Sequence, residues 1–468
     1  MRDEFDLVVI GSGPAGEKGA AHAAYFGKRV AVVERSAEPG GTPVSSAGIP
    51  TKTLREAALY VTGFGRRHLY GIGPQIDLGV ALQVLRRRTQ AVTALMEATV
   101  RGNLARHDIE LIHGTARLDR GRHVVVALAD GGERRLKARA VLIATGSRPF
   151  RPPTFPVDDP DVHDSDTILE IENPFSSIVV VGGGPIGCEY ASIFNALGIK
   201  VTLIDVGPRL LPFLDHEVSA ALADCFGRAG MSIRLGAGSA AIARRRGVLT
   251  VTIEGAKSIR PDKVLFAAGR SGNTEGLGLE QVGVKLDARG RVLVNEQFRT
   301  SATAIYAAGD VIGPPALASV SMDQGRHAAS NAMRTPYRNI GSTVAPFGVY
   351  SVPEVAMIGA TEETAGKGVV IGRAGFAGNA RANIAGSTDG LVKLIFSRAD
   401  RRLLGAHIVG DVAAEMIHVA QAVMHAGGTI DYFVHSTFNV PTWTDAYKYA
   451  AFDALAHFER RPAKRRAE

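Results

Sequence analysis

Asp6-Leu7-Val8-Val9-Ile10 runs into Gly11-Ser12-Gly13-Pro14-Ala15-Gly16, an alanine-rich helical pattern follows, and Arg29-Val30-Ala31-Val32-Val33-Glu34 closes the stretch. The same design returns at Ile178-Val179-Val180-Val181, Gly182-Gly183-Gly184-Pro185-Ile186-Gly187 and Lys200-Val201-Thr202-Leu203-Ile204-Asp205. Each copy reads strand, glycine turn, helix, strand, acid. The apolar runs are continuous instead of alternating, as parallel strands buried on both faces require. The first glycine makes the tight turn, the second lets backbone approach a pyrophosphate, and the third lets helix pack on strand. The helix N-terminus then offers unpaired N–H groups to phosphate, and Glu34 or Asp205 can accept from an adenosine ribose. Two such units in one chain predict an α/β fold with two Rossmann-like dinucleotide-binding domains.

Working outward, 468 residues suit about three domains. A 46% hydrophobic and 21% charged composition excludes a disordered or collagen-like chain. The 54 glycines exceed the usual share and imply tight turns or backbone close to a ligand. No apolar run reaches the ~18 to 20 residues of a membrane span. The chain enters a strand directly after Met1-Arg2-Asp3-Glu4-Phe5, leaving no room for a signal peptide, so the cytoplasm is the expected location. The net charge of +8 and the tail Arg460-Arg461-Pro462-Ala463-Lys464-Arg465-Arg466 read as a solvated basic surface, and no nucleic-acid partner is expected.

Cys188 and Cys225 fit no CxxC pair and no zinc spacing, so no metal site is expected. Both lie in helix-like stretches and read as small buried groups.

Three further strands end in small-residue turns: Ala140-Val141-Leu142-Ile143-Ala144-Thr145-Gly146, Lys263-Val264-Leu265-Phe266-Ala267-Ala268-Gly269-Arg270 and Ala304-Ile305-Tyr306-Ala307-Ala308-Gly309-Asp310. Pro314-Pro315 suits a helix start, with helical spacing from Ala316 to Met333. From about Pro346 the pattern changes to alternating strands (Gly390 to Phe396) and amphipathic helices (Ala413 to Met424), an α+β module of the kind that buries a dimer face.

These motifs, in this order, resemble the pyridine nucleotide-disulfide oxidoreductases such as dihydrolipoamide dehydrogenase and glutathione reductase, over almost the whole chain. The resemblance implies an FAD-binding domain at 1–150 and 274–345, an NAD(P)-binding domain at 151–273, and a C-terminal dimerisation domain at 346–468 with a short basic tail. It implies a homodimer or higher homo-oligomer acting on small dinucleotides. It implies catalytic Lys52 and Glu189, Lys52 beside the flavin and paired with Glu189. The cofactor contacts it implies for FAD, NAD and NADP are Gly11, Gly13, Pro14, Ala15, Gly16, Glu34, Arg35, Gly41, Thr42, Lys52, Ala116, Ala144, Thr145, Gly146, Gly182, Gly184, Pro185, Ile186, Gly187, Asp205, Gly269, Arg270, Gly309, Asp310, Ala316, Leu317 and Ala318.

Two departures carry more information. The family's disulfide reductases place a CxxxxC pair where this chain reads Gly41-Thr42-Pro43-Val44-Ser45-Ser46-Ala47-Gly48-Ile49-Pro50-Thr51-Lys52. Pro43 and Gly48 hold no sulfur, so no dithiol relay is possible. The family's His-Pro acid–base motif stands here as Val440-Pro441-Thr442-Trp443-Thr444-Asp445, and valine moves no proton. Lipoamide and glutathione reduction are excluded on both counts.

The soluble pyridine nucleotide transhydrogenases are a branch that lacks the full pair and the histidine. Thr51-Lys52-Thr53-Leu54-Arg55-Glu56-Ala57, Leu210-Leu211-Pro212-Phe213-Leu214-Asp215 and Gly269-Arg270-Ser271-Gly272-Asn273-Thr274 resemble that branch. The expected activity is FAD-dependent hydride transfer between NADPH and NAD without a disulfide relay. An NAD(P)H dehydrogenase or oxidase serving quinone, dye or oxygen is the alternative, and a non-catalytic flavin-binding redox sensor is the second. Asp205 suits the 2′-hydroxyl of NAD, while Arg209 either reaches a 2′-phosphate or is an idle surface residue. His435 reads as a surface or interface histidine.

Overall fold

In the computed structural model, residues 3–63, 66–71, 78–120, 123–156, 158–255, 257–337 and 345–459 are described, so the basic tail lies outside them. The apolar run of the first glycine motif becomes the strand Glu4–Ile10, the centre of a parallel sheet. It pairs with Val30–Glu34 on one side and with the far half of Glu133–Ile143 on the other. Glu110–Asp119 extends the sheet beyond Val30–Glu34, and Ile305–Ala307 lies against Glu133–Ile143. The remaining halves of Glu110–Asp119 and Glu133–Ile143 run on and pair antiparallel with His123–Leu128, which completes the same six-stranded sheet. The sequence reading did not anticipate that meander, although Asp130-Gly131-Gly132 punctuates the turn into its third strand, with both glycines at positive φ.

The second motif repeats the design. Ser232–Arg234, Lys200–Ile204, Ser177–Val181, Lys263–Phe266 and Val162–His163 form a five-stranded parallel sheet in that order. The chain leaves the first unit and re-enters it through two crossing strands, Ser147–Pro149 and Arg270–Gly272, which pair antiparallel. The C-terminal module is an antiparallel sheet in the order Phe347–Val349, Glu354–Gly359, Leu403–Gly410, Leu391–Ser397 and Val369–Gly375. The helices Ala413–His425 and Ala446–Glu459 pack on it around a core that includes Phe376, Phe396, Phe433 and Tyr447.

Glycine sets one helix–helix distance. The helices Pro14–Tyr25 and Ala318–Met333 cross where Gly19 meets Gly325, and a Cβ on Gly19 would sit 2.8 Å from the Gly325 carbonyl oxygen. The second of these helices begins at Ala318, two residues later than its spacing predicts. Leu317 stays extended because its N–H closes a tight turn onto the Pro315 carbonyl at 3.0 Å.

A buried charge cluster ties the second unit to the C-terminal module. Lys393, 1% exposed, reaches Asp215 at 2.9 Å, Glu217 at 2.9 Å and Glu362 at 2.6 Å. Asp215 also caps the helix His216–Arg228 and accepts from Glu362 N–H. Among the described residues no helix is long and apolar enough to cross a membrane.

Candidate functional site

A cleft of about 420 Å³ runs along the C-terminal ends of the first unit's parallel strands, where open α/β sheets bind ligands. Of the sequence-predicted residues, Gly11, Gly13, Pro14, Ala15, Glu34, Arg35, Gly41, Thr42, Ala116, Ala144, Thr145, Gly146, Gly309, Asp310 and Ala318 line it. Gly16, Lys52, Ala316 and Leu317 are not in its wall, and neither are Gly182, Gly184, Pro185, Ile186, Gly187, Asp205, Gly269 and Arg270 of the second unit. Gly16 lies beneath the turn, where a Cβ would overlap the Gly11 carbonyl. Gly187 stands in the same relation to Gly182. The third glycine of each motif is therefore a packing residue, as its spacing implies.

Both terminal acids fold back onto their own glycine turns. Glu34 Oε2 accepts from Ser12 N at 2.9 Å and Ser12 Oγ at 2.7 Å, and its Oε1 accepts from Ser36 N at 2.9 Å. Ser12 Oγ in turn accepts from Gly40 N at 3.0 Å, which ties the turn to the loop carrying Gly41 and Thr42. In the second unit Asp205 accepts from Gly183 N through one oxygen and from Gly207 N at 2.6 Å through the other. One geometry thus appears twice, with a carboxylate fixing the turn that would receive a pyrophosphate.

Arg209 does not stand beside Asp205 as a free cation. Its guanidinium donates to the carbonyls of Leu214, at 3.2 Å, and Pro212. It rigidifies the turn after the strand and leaves Asp205 as the charge at that position.

The two positions where the family carries sulfur lie against each other. A Cβ on Gly48 would come within 2.5 Å of the Pro43 carbonyl oxygen and 2.8 Å of its Cα. The site is closed sterically as well as empty of thiol. Beside it, Ser46 Oγ donates to Asp166 Oδ1 at 3.0 Å, and both residues line the cleft. Cys188 and Cys225 are buried in the second unit, far from this role in chemistry as well. Burial pushes the Cys225 thiol up to about 11 and the Cys188 thiol higher still, so both stay protonated at neutral pH.

Lys52, on the helix Ile49–Val61, donates to Glu189 Oε2 at 2.7 Å on the helix Pro185–Ala196. The other oxygen of Glu189 accepts from Tyr350 N at 3.0 Å, and Lys52 Nζ lies 5.0 Å from the Tyr350 ring centre. One turn along the same helix, Arg55 meets Glu354 at 3.2 Å and donates to the Ser351 carbonyl. Burial raises Glu354 to about 7 even so, against the pull of Arg55 and the Ala414 N–H. The three parts of the molecule meet at this polar seam.

Among the cleft-wall residues that sequence reasoning overlooked are Ser147, Asp166 and Asn273. Asn273 Nδ2 donates to Thr145 O at 2.9 Å while its buried Oδ1 has no partner among the described residues. The Gly272-Asn273-Thr274 string signals it, since asparagine after a crossing strand can clamp the facing turn. His435 ends the helix Ile430–His435 on the surface, and Val440 is 67% exposed.

Two tandem dinucleotide turns, a cleft at the strand ends and a polar seam between the units define an oxidoreductase of the double dinucleotide-binding class. Residues 5–325 match the model of the pyridine nucleotide-disulphide oxidoreductases, and residues 345–451 match that family's dimerisation domain. The chain belongs to this family. It is 42% identical to a soluble pyridine nucleotide transhydrogenase of Mycobacterium tuberculosis (strain ATCC 25177 / H37Ra) over 97% of each chain. It is 39% identical to one of Pseudomonas aeruginosa (strain LESB58), over 96% of this chain and 98% of the relative. Among solved structures it resembles the HOCl-induced flavoprotein disulfide reductase RclA from Escherichia coli, with TM-score 0.85 and 27% identity over 96% and 99% of the two chains. LpdA from Mycobacterium tuberculosis superposes with TM-score 0.86 at 26% identity over 95% and 99%.

Proposed function

We propose that this protein is an FAD-dependent transhydrogenase that moves hydride between NADPH and NAD, working as a homodimer or higher homo-oligomer in the cytoplasm. The observation that carries this reading is the closed, sulfur-free contact between Pro43 and Gly48. It leaves nicotinamide as the partner on both sides of the exchange, in agreement with the names of the relatives. The domain limits that go with it are FAD binding at 1–150 and 274–345, NAD(P) binding at 151–273 and subunit association at 346–468.

The cleft fits a flavin dinucleotide. Its glycines leave no room for side chains between turn and sheet, and Asn273 offers a buried acceptor without a partner among the described residues. Gly11, Gly13 and the first turn of Pro14–Tyr25 would hold the pyrophosphate, Glu34 the adenosine ribose and Asp310 the ribityl chain. The Gly182–Gly187 turn and Asp205 would hold the nicotinamide dinucleotide. Bound FAD supplies two-electron chemistry, accepting hydride from one nicotinamide and passing it to another. Lys52, oriented by Glu189, would place a positive charge at the seam, and Asp166 with Ser46 would fill the space that thiols take in the disulfide reductases. The donor and acceptor nucleotides have nearly equal potentials, so the residues contribute positioning more than driving force.

The test is anaerobic stopped-flow mixing of the yellow holoenzyme with NADPH, then with NAD. Rapid bleaching by NADPH and full recovery by NAD is expected. Bleaching that quinone or air reverses and NAD does not would replace the reading with a dehydrogenase or oxidase. Sluggish bleaching by both NADH and NADPH would point to a sensor.

A further inference from the structure

Arg270 stands outside the cleft wall, yet its guanidinium is the hub of the crossing strands. Its Nε donates to Ser147 Oγ at 2.7 Å, its Nη2 to Ser147 O at 2.8 Å and its Nη1 to Ser165 Oγ at 3.4 Å. Ser147 Oγ then donates to Asp310 Oδ2 at 2.9 Å. Ser147 is 6% exposed and, with Asp310, lines the cleft. From this geometry we infer that Arg270 is a positioning residue of the flavin cleft, acting on Asp310 through Ser147 and not by contact with the cofactor.

The hydrogen bonds can run in only one direction. A guanidinium has donors and no acceptor, so the serine hydroxyl must accept from Arg270. Its single hydrogen is then committed to Asp310. The Asp310 carboxylate is thereby oriented: Oδ2 is held by the serine, and Oδ1 accepts no hydrogen bond among the described residues. Without Arg270 the hydroxyl could rotate and donate elsewhere, and the carboxylate would turn with it.

The register adds a mechanical side. Ser147 stands opposite Gly272 and Arg270 opposite Pro149, so the relay crosses the ribbon joining the two dinucleotide units diagonally. Nη1 reaches into the Asp164-Ser165-Asp166 turn, whose last residue lines the same cleft and accepts from Ser46. One guanidinium therefore registers the ribbon, the acid at Asp310 and the turn carrying Asp166. A lysine could replace one of its bonds, and methionine none.

The inference rests on the reading that this cleft holds FAD, and it is tested without reference to the electron acceptor. Holoenzymes of wild type, S147A, R270K, R270M and the S147A/R270M double variant are diluted, and FAD release is followed by its fluorescence. Thermal midpoints of the holo and apo forms are taken in parallel. S147A and R270M are each expected to release FAD about tenfold faster, the worth of one charge-assisted hydrogen bond. The double variant should be no faster than the faster single, and R270K should fall between wild type and R270M. Release within about twofold of wild type in S147A overturns the inference, as does a double variant whose effect is the product of the singles. Equal loss of apo and holo midpoints in R270M with unchanged release makes Arg270 a structural strut only. S147A removes one hydroxyl and nothing else, so it decides the matter even where R270M folds poorly.

Discussion

Lys52 and Glu189 close an ion pair at 2.7 Å between helices of different dinucleotide units, and the two residues are unequally buried. The carboxylate side chain is 7% exposed and the ammonium side chain 31%. Glu189 is therefore the member that depends on the pair.

Lys52→Met leaves that buried carboxylate with the Tyr350 N–H as its remaining strong donor. A fully buried pair broken this way loses ~3 to 5 kcal/mol, and the exposure of Lys52 lowers the expected cost to about 1 to 3 kcal/mol. The variant should fold, keep its colour and be reduced more slowly by NADPH in stopped-flow. Wild-type reduction rates would confine Lys52 to clamping the units together.

Restoring sulfur should not restore disulfide chemistry. In a P43C/G48C variant the new Cβ at position 48 meets backbone of residue 43 at 2.5 to 3.1 Å, so the loop must shift before two sulfurs can coexist. We expect a loss of about 1 to 3 kcal/mol in stability from overpacking. No lipoamide reduction should follow, because Val440 still supplies no acid–base group. Ready formation of an intramolecular disulfide, judged by thiol titration of the denatured protein, would show that the loop adapts at little cost.

Glu354 gives stability an unusual pH slope. Its folded value of about 7 lies above the 4.5 of the free group, because burial outweighs Arg55. The folded state then holds a proton that the unfolded chain has released. That contribution is present in full below about pH 4.5 and is lost as pH rises through 7. Its size is at most about 3 kcal/mol. Denaturant midpoints of Glu354→Gln should lack the decline between pH 5 and 7 that the parent shows. Parallel curves for the two proteins would remove Glu354 as its source.

Asp205 should set the nucleotide preference, since Arg209 is occupied by the Pro212 and Leu214 carbonyls. A 2′-phosphate then faces a carboxylate that Arg209 is not free to offset. Asp205→Asn should improve the NADPH-to-NADH ratio of kcat/KM about tenfold by removing that repulsion. It should also cost about 1 to 2 kcal/mol, because one of the Gly183 and Gly207 N–H groups would face an amide NH₂. An unchanged ratio would place the discrimination elsewhere.

What could be read from the sequence was local. Continuous apolar runs and glycine spacing give the parallel strands, both turns and the acids Glu34 and Asp205, because those features lie within one βαβ unit. The motif around Lys52 leads to Glu189 only through family resemblance, as the pair spans two units. Ser147 and Asn273 were overlooked because their importance comes from Arg270, Asp310 and Thr145, all distant in sequence or across a ribbon. The roles of Arg209 and Gly48 depended on backbone atoms that no residue pattern encodes. The start of the helix Ala318–Met333 was misplaced because spacing cannot report the turn that Leu317 makes onto Pro315.

Lys393 has a consequence for how substrate gets in. Swinging the nucleotide half away from the C-terminal sheet would strip a solvent-free ammonium of Asp215 and Glu217 at once, leaving it Glu362 alone. Such a jaw-like opening is too costly to accompany every turnover. Pyridine nucleotides must instead enter a doorway that already stands ajar, so traffic is regulated by the furniture at the threshold, Tyr350 and Lys52 among it, and not by the hinge.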